Sequence, residues 1–94
     1  MTPDKIREVV KRYRQDFKKA EIPVLKFLDS EHPYSNLYSD KQAITHCHWM
    51  LEEIEKFLDN KRTEKAHRWL GFIQGVLWKS NKYTITELAN HNRP

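Results

Sequence analysis

His46-Cys47-His48 puts two imidazoles and a thiol side by side, the donor types that hold zinc. The run lies inside a helical hydrophobic pattern, however, where neighbours at i, i+1 and i+2 point about 100° apart. Three ligands therefore cannot converge on one ion from this segment, although one or two can join His67 across a helical hairpin. Glu52, Glu53 and Glu55 offer carboxylates for acid–base work, but their spacing fits the solvent edge of the same helix. The two glycines, Gly71 and Gly75, fall on one helix and cannot form a phosphate-binding loop. No nucleophile stands in a recognisable local context. The sequence thus predicts binding rather than catalysis, with no metal site and no cofactor.

Arg62-x4-His67 resembles, in spacing, the R-x4–6-H pair of helical HEPN ribonucleases. The polar residue usual after that arginine is Thr63 here, a poor replacement. Six arginines and five histidines give about one such spacing by chance. A small nuclease is the third reading, behind two kinds of binding protein.

Charge supplies one of those kinds. Seventeen Lys and Arg against thirteen Asp and Glu give a net charge of +4. Much of the excess lies in the first helical segment, where seven basic residues outnumber four acidic ones. Lys11, Arg14 and Lys18 are the candidate phosphate contacts for non-specific nucleic-acid binding; the plainer reading is a solvated helix face. Mean hydropathy is -0.88, and the longest near-apolar run, residues 69–78, is far short of the ~20 needed to span a membrane. Two glycines and four prolines argue against a turn-rich β domain, and the single Cys47 excludes a disulfide framework. One unpaired cysteine and no apolar leader segment point to a reducing cytoplasm.

The elements that must position these residues are legible from caps and periodicity. Thr2-Pro3-Asp4 opens a helix over 3–20, with Ile6, Val9, Val10, Tyr13 and Phe17 on one stripe. Pro23 ends or bends it, after which Val24, Leu25, Phe27 and Leu28 suggest one or two amphipathic turns. Residues 29–38 read as a loop whose two tyrosines pack on something. Ser39 and Gln42 form a capping box for a helix over 40–58. A polar link at 59–62 leads to a helix over 63–79, making an antiparallel hairpin. Asn81 suits a left-handed stop, and Thr84 and Glu87 cap a short helix reaching about residue 90, with Ile85 and Leu88 facing inward. That terminal helix resembles the first helix of a helix-turn-helix, but no recognition helix follows before Pro94. The expected fold is all-α: one helical domain over residues 1–94, three-helix-bundle-like, with a short C-terminal helix.

Two faces exceed what a core requires. On the third helix, His67, Arg68, Gly71, Gly75 and Trp78 cluster opposite the stripe of Ala66, Trp69, Leu70, Ile73, Val76 and Leu77. Each glycine costs roughly 1 kcal/mol of helix propensity relative to alanine, so something is expected to approach this notch. The candidates are the first helix, another subunit, or a ligand. Trp49 sits among Glu52, Glu53 and Lys56, as an interface hot spot or buried under the first helix or the 29–38 loop. Tyr34 of that loop joins the candidate contact residues. A second copy of the chain is a natural second layer, which makes a homo-oligomer the expected assembly.

Residues 64–78, EKAHRWLGFIQGVLW, and 84–94, TITELANHNRP, resemble a family of small proteins encoded by tailed bacteriophages; residues 46–57, HCHWMLEEIEKF, fit it too. The similarity covers the C-terminal half, and RWLGFIQG with the terminal HNRP is its most specific element. The resemblance implies no catalytic residue. It implies a setting, the infected bacterial cell, where such proteins bind a host enzyme, a nucleic acid or a nucleotide defence signal.

Overall fold

Thr2 accepts a hydrogen bond from the backbone N–H of Lys5, and Pro3 follows where its missing N–H costs nothing, so α1 runs over Pro3–Lys19. In the computed structural model, which describes residues 1–27 and 38–94, the other helices are α2 (Asp40–Asp59), α3 (Thr63–Lys79) and α4 (Ile85–Asn92). The described residues contain no strand, and the fold is all-α. Both expected capping boxes are present, Ser39 with Gln42 and Thr84 with Glu87.

The helix boundaries fall within two residues of expectation, and the ends share one device. Ile22 N–H bonds to Phe17 C=O, Arg62 N–H to Phe57 C=O, and Lys82 N–H to Leu77 C=O. Each bond closes a Schellman motif around a left-handed residue: Glu21, Lys61 or Asn81, with φ of 56°, 60° and 60°. None of the three is glycine. Asn81 is the stop that the sequence suggested.

One core joins all four helices. Ile6, Val10 and Tyr13 of α1 are fully buried against Cys47, Leu51 and Ile54 of α2 and Ala66, Leu70, Ile73 and Leu77 of α3. α2 and α3 form the antiparallel hairpin, joined by Asn60, Lys61 and Arg62 alone. α1 lies across the hairpin and α4 closes over α1 and α3, with Leu88 as its buried anchor.

Two local expectations are corrected. Residues 22–27 are not helical: α1 has already stopped at the left-handed Glu21, and the Phe27 N–H bonds to His46 instead of to a helical carbonyl; Val24 and Leu25 are exposed. Leu28 lies outside the described residues. Ile85 also points outward rather than in, 65% exposed. As the first residue of an eight-residue helix, it lies beyond the edge of the core that Leu88 reaches.

Candidate binding surface

The open face of α3 begins with the absence of two side chains. Gly71 and Gly75 are exposed, and a Cβ built at either meets nothing within 4 Å among the described residues. The first helix therefore does not cover the notch. α1 takes the opposite side of α3, where Ala66, Leu70, Ile73 and Leu77 face the core. Beside the glycines stand two large exposed apolar side chains, Phe72 (58% exposed) and Trp78 (53%). His67 and Arg68 lie exposed one turn earlier, and Arg68 pairs with Glu64 at 3.1 Å.

A shallow groove runs from this face towards the start of α2. Gly71, Phe72, Gly75 and Val76 form one wall, Ala43 and His46 the other, and Phe27 and Tyr38 close one end. Lys79 bonds to Asp40 at 3.2 Å at the rim. The wall residues are apolar with few charges, the chemistry of a surface that takes another apolar surface. Phe72, Val76 and Ala43 were missing from the sequence-derived list. Their signal was present, since Phe72 and Val76 lie at helical spacing beside the glycines.

Trp49 is a correction. It is half-buried, and among the described residues its ring meets α3 and Lys26 rather than α1; the loop proposed as its other cover lies, except for Tyr38, outside the described residues. Its ring stands 5.3 Å from His46 and 5.9 Å from Trp69, with the Lys26 ammonium 5.0 Å from its centroid. Phe57 continues the row, edge-on to Trp69 at 4.8 Å, with Lys65 above it at 4.6 Å. Trp49 thus belongs to an aromatic seam along the α2–α3 hairpin, capped by cations of the same chain. Tyr34 lies outside the described residues, as does most of the 29–38 loop.

The His-Cys-His run separates as helix geometry requires. His46 Nδ1 accepts from the backbone N–H of Phe27 at 3.1 Å. Cys47 is fully buried, and burial pushes its thiol up to about 12. His48 donates from Nδ1 to the Ile22 carbonyl at 2.9 Å and packs edge-on against Phe17. Each of the three has a different structural task. Arg62 and His67 do not form a pair either: Arg62 is the N-cap residue of α3, with its guanidinium over Phe57 at 5.8 Å, whereas His67 is exposed.

A polar network that the sequence did not reveal ties α4 to the core. Gln74 donates to Tyr13 Oη at 3.1 Å and to Asn92 Oδ1 at 2.7 Å; Asn92 returns a bond to Gln74 Oε1 at 3.0 Å. Tyr13 Oη lies 2.7 Å from His91 Nδ1, and Tyr83 donates to Asp16 at 2.6 Å. Burial lowers the His91 pKa, with Arg12 adding repulsion, while burial and the bond to Asp16 push Tyr83 up to about 12. His91 and Asn92 belong to the HNRP element, so that motif is a docking device.

On α1, the three candidate phosphate contacts part company. Arg14 is tied to Glu55 at 2.6 Å and Glu52 at 3.8 Å, bridging α1 to α2, so its charge is not free for phosphate. Those glutamates are more than a solvent edge for the same reason. Lys11 and Lys18 are exposed. Lys11 shares a shallow polar trough with Lys5, Arg12 and His91.

Among the described residues no helix is long and apolar enough to cross a membrane. Set against protein-family models, curated proteins and solved structures, the chain matches none of them.

Proposed function

We propose that the chain is a small, non-catalytic binding protein of the tailed-phage type, self-associating and acting on a host factor or a nucleotide defence signal in the bacterial cytoplasm. The outer face of α3 is its contact surface. One observation carries this reading: Gly71 and Gly75 are open, each at a cost to the helix, next to the exposed rings of Phe72 and Trp78. Three histidines and the thiol, at positions 46, 48, 91 and 47, are committed to the fold, which supports binding over catalysis.

The double variant Gly71→Ala/Gly75→Ala tests the reading. Nothing among the described residues blocks the two methyl groups, so dilute protein gains roughly 1 kcal/mol per site in urea unfolding. Association and partner capture fall, because the same methyl groups overpack an occupied interface by roughly 1–3 kcal/mol. A variant that is more stable with association and capture unchanged refutes the contact surface.

A second reading, nucleic-acid binding through α1, is favoured by the trough in which Lys5, Lys11 and Arg12 gather beside α4. Retention on DNA or RNA should then fall steeply with salt, and Lys11→Ala should reduce that slope. Retention indifferent to salt removes the reading.

A further inference from the structure

Glu64, Arg68, Gly71, Gly75 and Trp78 follow one another at intervals of four, three, four and three along α3. This is the rhythm of a coiled-coil seam, and it holds the five residues within about 80° of arc. All five are exposed. A monomer gains nothing from such a seam facing water with two glycines at its centre.

Resting on the reading of this face as a contact surface, we propose that the seam is occupied by α3 of a second copy of this chain, antiparallel, about a two-fold axis that crosses the seam midway between Gly71 and Gly75. The two-fold axis sets Gly71 against the partner subunit's Gly75, so the helices approach closely where neither has a side chain. It also sets Arg68 against the partner subunit's Trp78. Guanidinium over indole is a favourable pairing, made twice by symmetry. The contact of Arg68 with Glu64 at 3.1 Å holds the guanidinium along the seam.

Charge decides the direction. A parallel pair brings Glu64 to Glu64 and Arg68 to Arg68, two like-charge contacts along one seam. The antiparallel pair removes both and places the acidic first turn, at Glu64, against the end where Lys79 and Lys82 stand. The helix dipoles also oppose one another in this arrangement. Gly71 and Gly75 also line the groove between α2 and α3, so the second copy covers part of one wall of that groove.

Sedimentation of the full chain at micromolar concentration, with three variants, tests the arrangement. The wild type is expected at twice its 11.4 kDa. Trp78→Lys and Trp78→Glu remove the same exposed ring, but lysine meets Arg68 of the partner subunit and glutamate pairs with it. Trp78→Lys should therefore dissociate about tenfold or more readily than Trp78→Glu. The helix dipole ranks their folding the other way, since lysine suits a helix C-terminus and glutamate does not. Folding effects therefore cannot imitate the result. The charge-swapped Arg68→Glu/Trp78→Lys variant should regain dimer relative to Trp78→Lys. A monomeric wild type overturns the proposal, as do lysine and glutamate variants that dissociate equally or in reverse order. A monomer whose partner capture still responds to Gly71→Ala/Gly75→Ala keeps the contact surface and loses the second copy; one that does not respond loses both.

Discussion

Tyr13 Oη and His91 Nδ1 share a hydrogen bond of 2.7 Å across 78 positions of sequence. The Gln74 amide N–H donates to the same Oη. The arrangement that leaves no proton unpaired has the phenol donating to a neutral imidazole whose proton is on Nε2. One bond thus fixes both the tautomer of a surface histidine and the seat of α4.

Removing that hydroxyl should leave a buried Gln74 donor and a histidine acceptor short of a partner. Tyr13→Phe is expected to lose about 1–3 kcal/mol in urea unfolding, more than an exposed tyrosine would. A loss near zero would show that Leu88 and the Gln74–Asn92 pair hold α4 without this bond.

The burial of His91 makes stability depend on pH. It lowers the folded-state pKa of His91 below its ordinary 6.5; Arg12 and, most weakly, Lys5 of α1 oppose protonation, whereas Glu87 of α4 and Asp16 of α1 favour it. A depressed histidine pKa means that the unfolded chain binds the proton more readily. The contribution is full above about 6.5 and is lost as pH falls through the lower folded value. Urea midpoints measured from pH 8 to pH 5 should decline across that window. In His91→Gln the decline should flatten, since the ring whose burial depresses the pKa is gone.

Cys47 should be silent to thiol reagents in the native protein. It is fully buried, and with its pKa raised to about 12 little thiolate forms at neutral pH. Labelling should proceed at the rate of opening and accelerate in urea in step with unfolding. Rapid labelling of native protein would contradict this packing.

Thr84→Ala should cost about 1 kcal/mol by removing the cap of α4. The hydroxyl accepts from Glu87 N–H, and Glu87 returns a bond to Thr84 N–H. The helix spans eight residues, so the loss falls on a large share of its bonds. Hydrogen exchange should quicken in α4 and stay slow in the α2–α3 hairpin.

The four helices were legible because their signals are local. Caps at Thr2, Ser39 and Thr84 mark the starts, and stripes such as Ile6-Val9-Val10-Tyr13-Phe17 mark the buried faces. The open face of α3 could also be recognised, because two glycines within one helix contradict local preference. Its cover could not, since whether α1 reaches Gly71 depends on how it crosses the hairpin. The surroundings of Trp49 were not legible for a related reason: its helical neighbours are charged, but its contacts, Trp69 and Lys26, come from other segments. The Tyr13–Gln74–Asn92–His91 network joins three helices through polar residues, which hydrophobic periodicity does not register.

The left-handed helix ends at Glu21, Lys61 and Asn81 carry a consequence for how glycine is distributed in the chain. A left-handed backbone costs a residue bearing a Cβ roughly 1–2 kcal/mol, somewhat less for asparagine, and glycine relieves it. Stability alone would therefore place glycine at 21 and 61 and alanine at 71 and 75. The chain does the reverse at all four positions. Exchanging them should yield a more robust fold in which two methyl groups fill the notch on the outer face of α3.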